Sequence, residues 1–222
     1  MAVPKGTSQV FAENGWQILL KSEIVPGTEN FRAQPFNRVY YCGKLDADKA
    51  RIVWEETRQT HEKFIPLRIA PDGTVTSSVY ENKLLVIGPD DPPGHHGDGT
   101  AVVLPGQQGR RGMVLLHATG AGFVAYPNEL NKPVPVYFVP LVKRTPVVEK
   151  AVELCSRDTR SFYPPRTGFH VSDKWIVWAD GSLEVATGTK RKRESDPDKV
   201  TDLAIDGELV VTNSLSHRVE LW

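Results

Sequence analysis

The residues with the clearest capacity for chemistry lie in one polar segment, Gly88 to Gly99. Five candidate metal ligands fall within nine residues of it: Asp90, Asp91, His95, His96 and Asp98. Imidazole nitrogens and carboxylate oxygens together suit zinc, iron or manganese. A divalent metal held by His95, His96 and Asp98 would make the chain a metal-dependent enzyme. We favour the simpler interpretation, a solvated loop without a cofactor, because adjacent histidines point in different directions on most backbones.

A nucleophilic site finds less support. A nucleophile needs a base within hydrogen-bond reach and a third group that orients the base. Cys155, His170 and Asp180 are suitable residue types, but Cys155 and Cys42 both lie in apolar patterns typical of a core. The sequence contains no Gly-x-Ser-x-Gly, no His-Glu-x-x-His and no glycine-rich phosphate-binding motif. We therefore assign no catalytic residue.

A basic run forms the second candidate site. Its members are Lys190, Arg191, Lys192 and Arg193. Such a run fits a nuclear import signal and can also contact nucleic acid. Acidic residues between 194 and 198 partly cancel its field within a Debye length of about 8–10 Å, which weakens the nucleic-acid interpretation more than the import one. We predict a loop over Thr187 to Asp198, so a purely solvated run is the alternative.

Two tryptophans complete the predicted binding site. Trp175 and Trp178 lie three apart on one predicted strand, and side chains alternate between the faces of a strand, so the two indoles point to opposite faces. We expect one indole in the core and the other exposed or covered by a partner, as a stacking platform or interface anchor.

The elements that must position these residues are mainly strands. Short β-branched and aromatic runs are separated by glycine, proline, asparagine and aspartate, which is typical of strands and turns. Asp-Gly pairs at Asp72, Asp180 and Asp206 suit hairpin turns. The predicted fold is mainly β, with antiparallel sandwich or barrel-like sheets.

One short helix is predicted over about 146–156. Thr145 can cap it and Pro146 suits its first position. An apolar stripe follows: Val147, Val148, Ala151, Val152 and Cys155. The helix divides the chain into an N-terminal β region, 1–144, and a helix with a smaller β region, 145–222, although one continuous domain is equally compatible with the pattern.

Composition narrows the class of protein. The 222 residues include 27 basic and 27 acidic side chains, and a zero balance disfavours a protein that mainly neutralises phosphates. Two cysteines are too few for a disulfide framework. No apolar run approaches the roughly 20 residues of a membrane helix, and no apolar signal segment follows Met1. We expect an intracellular protein, cytoplasmic or nuclear, that does not bind membranes.

Three functions remain, in order of preference. The first is a non-catalytic module that recognises a protein partner through loops and exposed aromatic residues, with nucleic acid less favoured. The second is a structural particle or sheath protein that forms homo-oligomers through its strands. The third is the metal-dependent enzyme described above.

Overall fold

A computed structural model describes residues 6–24, 36–46, 51–60, 65–79, 83–91, 99–107, 112–129, 133–158, 169–178, 181–192, 200–206, 209–214 and 219–221. In these ranges the regular structure is β, apart from one turn of 3-10 helix, and the strand pairs are antiparallel. The mainly β prediction is therefore confirmed. No helix in this part of the chain is long and apolar enough to cross a membrane. The chain divides into two compact units, 1–101 and 102–222.

The first unit consists of two sheets. One contains, in order, β1 (Thr7–Glu13), β2 (Trp16–Ile24), β3 (Phe36–Asp46) and β4 (Arg51–Thr60). The other contains β5 (Ile65–Ile69), β6 (Val75–Val79) and β7 (Lys83–Ile87). A shared core includes Trp16, Ile18, Tyr40 and Cys42 from the first sheet and Ile69, Val75, Val79, Leu85 and Ile87 from the second. The two sheets thus pack as a sandwich, and Cys42 is a core residue, as predicted.

The turn between β1 and β2 ties the two sheets of this unit together. Asn14 and Gly15 both have positive φ, 53° and 77°, which matches a two-residue type I′ hairpin turn. The Asn14 side-chain amide donates to the Ile69 carbonyl over 2.7 Å, and Glu13 Oε2 accepts from the Ile69 N–H over 2.7 Å. This turn therefore caps the end of β5 with two hydrogen bonds.

The second unit contains three sheets. The first has β8 (Met113–Ala118), β9 (Gly122–Pro127), β10 (Pro133–Val142) and β11 (Thr145–Pro146), with β12 (Val152–Asp158) also paired to β10. The second has β13 (His170–Val171), β14 (Trp175–Trp178), β15 (Gly181–Glu184) and β16 (Thr189–Lys192). The third has β17 (Val200–Asp206), β18 (Leu209–Ser214) and β19 (Val219–Leu221). The first two share a core: Val124, Val136, Phe138, Leu154, Ile176, Trp178, Leu183 and Val185.

The helix predicted over 146–156 is wrong. Its place is taken by β11, a 3-10 turn at Val148–Lys150 and strand β12. The valines there are β-branched and suit extended backbone, and Leu154 is buried next to the exposed Glu153. Pairing with β10 satisfies the backbone of β12, so tertiary hydrogen bonds outweigh the local helical pattern.

The domain boundary predicted near residue 144 falls within the second unit. Strands β10 and β12 pair across it, and β10 also forms a hairpin with β11. The two residues at the turn, Lys143 and Arg144, have φ values of 50° and 66° and exposed side chains. The segment around residue 144 is thus a tight reversal of the chain between paired strands.

Candidate functional site

The predicted binding residues lie on the sheet formed by β13 to β16. Directly paired residues of neighbouring strands share a face of the sheet, and the face alternates along each strand. The register pairs Trp175 with Glu184 and Trp178 with Gly181, and pairs Ser182 with Arg191. It follows that Trp175 and Arg191 share one face, whereas Trp178 lies on the opposite face with the two lysines of β16.

The indole of Trp178 belongs to the core. Its side chain is only 3% exposed and it packs with Ile176 and Leu183. A Cβ on Gly181 would come within 2.8 Å of the Trp178 ring, so the indole lies directly over this glycine. Lys190 Nζ lies 5.7 Å from the ring centroid and donates to the Glu153 carbonyl over 3.1 Å. The prediction that one of the two tryptophans is a core residue is confirmed for Trp178.

The indole of Trp175 is partly exposed, and a cationic side chain lies over its ring. The Arg191 guanidinium carbon lies 5.3 Å from its ring centroid, within the range of a cation–π contact. The backbone of Trp175 is fixed by a turn with Ser172, whose N–H donates to the Trp175 carbonyl over 2.8 Å and whose hydroxyl accepts from the Trp175 N–H over 2.9 Å. The tryptophan and the arginine are therefore held in place on the same face.

Both indole N–H groups lack an acceptor among the described residues. Nε1 of Trp175 and Nε1 of Trp178 are each buried without a hydrogen-bond partner there. Lysine and arginine side chains add only donors and positive charge. The exposed cations of β16 therefore favour a negatively charged ligand, whereas the two indole N–H groups are buried and do not reach the surface.

The basic run lies on a strand, so the loop predicted over 187–198 is wrong for residues 189–192. Gly188, with φ 70°, donates its N–H to the Glu184 carbonyl over 2.9 Å and reverses the chain after β15. Thr189 then begins β16, in which all four side chains are exposed. The strand lacks an apolar face, which is why its sequence pattern resembles a loop. Arg193 lies outside the described residues.

The predicted metal ligands His95, His96 and Asp98 also lie outside the described residues. Within the described ranges, no group of three or more His, Cys, Asp or Glu side chains could hold a metal ion. Asp91, which the structure does describe, accepts a hydrogen bond from the Gly88 N–H over 2.6 Å and thus stabilises a turn. The metal site therefore stays a prediction.

Two histidines outside the predicted site lie near one another on two sheets of the second unit. His117 of β8 and His170 of β13 lie near enough to interact electrostatically, and close by the Gly120 N–H donates to Asp173 Oδ1 over 2.7 Å. Although part of the His117 side chain reaches the surface, burial of the rest lowers its pKa, and the charge on His170 lowers it further. Folding of this unit thus favours neutral His117.

Acidification should therefore weaken the second unit. Because the pKa of His117 is lower in the folded state than its unfolded value of about 6.5, its contribution to stability is complete above that pH and is lost as the pH falls below it. We expect the free energy of unfolding to fall across this range and the fall to be smaller in His117→Gln. Urea denaturation at several pH values measures both. An identical pH dependence in the variant would contradict the assignment.

The structure thus places Lys190, Arg191 and Lys192 on the edge strand β16, with Arg191 over Trp175 of β14 on one face and Lys190 over Trp178 on the other. Arg193 and the predicted metal ligands lie outside the described residues. The chain matches no protein-family model, no curated protein and no solved structure.

Proposed function

We propose that this chain is a non-catalytic binding module that recognises an acidic segment of a protein partner. The recognition surface, which we call the basic edge, consists of Trp175, Lys190, Arg191 and Lys192. The observation that supports this most directly is the Arg191 guanidinium stacked on Trp175, with two further exposed cations on the other face of the same strand. Arginine and tryptophan are enriched among the residues that dominate binding energy at interfaces.

Preorganisation strengthens the proposal. A free arginine side chain loses rotamer freedom when it binds, but the stacking on Trp175 already restricts Arg191. Lys190 is likewise tethered to Glu153 and Trp178. These cations can therefore meet carboxylates at a lower entropic cost than solvated side chains.

A protein partner fits better than nucleic acid. The basic edge spans only four residues, and the whole chain has no excess of positive charge to draw it to a polyanion. Nuclear import receptors are one class of protein that binds short basic segments, and such a partner would suit the intracellular location expected for this chain. Salt would weaken binding to either partner, so salt dependence alone does not distinguish them.

Charge reversal tests the proposal. Peptides selected from a displayed random library on the folded chain should be rich in aspartate and glutamate. Arg191→Glu/Lys192→Glu should lower their affinity about tenfold or more, because each reversal replaces an attraction by a repulsion. The affinity is measured by fluorescence anisotropy.

The matched control is Lys143→Glu/Arg144→Glu, which changes the net charge equally on an exposed turn of the same unit. It should keep most of the affinity. Selected peptides without an acidic bias, or an equal loss of affinity in both double variants, would contradict the proposed function.

A further inference from the structure

Strand β16 is the last strand on its side of the sheet. Among the described residues it pairs with β15 alone, so the opposite edge of its backbone has no strand partner there. Such an edge presents N–H and C=O groups that can pair with a further strand.

The register shows which backbone groups face outward. The Val185 N–H donates to the Lys174 carbonyl over 2.9 Å, which makes Trp175 and Glu184 a non-hydrogen-bonded pair between β14 and β15. Alternation along β15 then directs the backbone of Ser182 towards β16, where its partner is Arg191. The backbone groups of Lys190 and Lys192 consequently point away from β15.

We propose that the acidic segment binds as an added β-strand along β16, and this inference rests on the proposed function. The backbone of Lys190 and Lys192 would pair with the segment. Its acidic side chains would lie either on the face with both lysines or on the face with Arg191 and Trp175. Both the main chain and the charges of β16 then contribute to recognition.

The same cations disfavour pairing of β16 with the β16 strand of a second copy of this chain. Pairing two β16 strands would bring Lys190, Arg191 and Lys192 of each copy close together, and like charges on neighbouring strands repel. Lysine on an edge strand discourages pairing with unselected strands for this reason. An acidic strand reverses the sign of that interaction, so charge complementarity selects the occupant.

Backbone-modified peptides test strand addition separately from charge. The probe is an N-acetylated, C-amidated peptide of alternating glutamate and valine, and two N-methylated forms carry methyl groups on alternate residues in the two opposite phases. All three have the same charge, but each modified form lacks the N–H donors on one edge only. We expect the parent peptide to bind and one modified form to lose at least tenfold in affinity, while the other binds within threefold of the parent. Hydrogen exchange should also slow at the Lys190 and Lys192 amides on binding of the parent.

The outcomes separate the two proposals. If both modified peptides bind as tightly as the parent, recognition depends on charge alone and strand addition is wrong, while the proposed function stands. Equal losses in both, or no binding of the parent when library peptides do bind, would likewise overturn strand addition. Preferential binding of a single-stranded oligonucleotide would replace the protein partner by nucleic acid and overturn both.

Discussion

Gly73→Ala is expected to destabilise the first unit by about 3 kcal/mol, whereas Gly15→Ala should cost about 1 kcal/mol. Both glycines have positive φ, 89° and 77°, so alanine strains the backbone similarly at each. At Gly73, however, a Cβ would lie 2.7 Å from the Trp16 ring, whereas nothing lies within 4 Å of a Cβ at Gly15. The difference between the two variants therefore measures the steric term alone.

Trp16 cannot move aside easily. Its side chain is 7% exposed within the core, and its Nε1 donates to the Pro71 carbonyl over 3.3 Å. Lys44 Nζ lies over the ring, 5.6 Å from its centroid. Because these contacts fix the indole, the added methyl group must displace either the ring or the turn between β5 and β6.

Hydrogen exchange of the β6 amides of the first unit, measured over a series of urea concentrations in the two alanine variants, gives the two free energies of unfolding. Repeating Gly73→Ala in a Trp16→Phe variant measures the interaction energy between the added methyl group and the ring at position 16. The smaller ring leaves room for the methyl group, so Gly73→Ala should cost less stability in this variant. Equal costs for Gly73→Ala and Gly15→Ala would show that the ring contact does not constrain the turn.

Most of the strands can be predicted from the sequence, because the apolar runs and turn residues that mark them lie within short segments of the chain. The runs beside Asp180 and Asp206 pair as β14 with β15 and β17 with β18, as hairpins require. The Asn14-Gly15 turn carries an equally strong hairpin signal and is absent from the predicted turns. That turn was readable from the sequence, because asparagine followed by glycine accepts positive φ at both positions.

Elements that depend on distant pairing are not readable in this way. Val152 and Cys155 continue the apolar stripe of a helix, yet the segment forms a strand, and the pairing with β10 decides between the two. Strand β16 has no apolar residue at all, since both of its faces are exposed at the edge of a sheet. A local hydrophobic pattern therefore cannot distinguish it from a loop.

The candidate site was readable only in part for the same reason. The alternation of a strand predicts that Trp175 and Trp178 lie on opposite faces. The stacking of Arg191 on Trp175 depends instead on the register of β14, β15 and β16, which no single segment encodes. The electrostatic interaction between His117 and His170 likewise involves strands more than fifty residues apart.

Replacing each of the two tryptophans should affect different properties: Trp178 the stability of the second unit, and Trp175 the affinity for acidic peptides. Trp178→Ala is expected to cost about 3–5 kcal/mol of the stability of the second unit, because it empties a site in the shared core. Trp175→Ala should cost about 1 kcal/mol, since this indole is partly exposed, but should weaken binding of acidic peptides about tenfold by releasing Arg191. Denaturation and peptide anisotropy on the same samples measure both quantities.

Trp178→Phe is the matched control for the core. Because Nε1 of Trp178 has no acceptor among the described residues, losing the N–H breaks no hydrogen bond there, and phenylalanine keeps much of the apolar contact. This variant should therefore retain more than half of the stability that Trp178→Ala loses, and its peptide affinity should stay close to that of the unmodified chain. If Trp175→Ala left peptide affinity unchanged while Trp178→Phe abolished it in a folded protein, recognition would lie on the opposite face of the sheet, and Arg191 would not be its anchor.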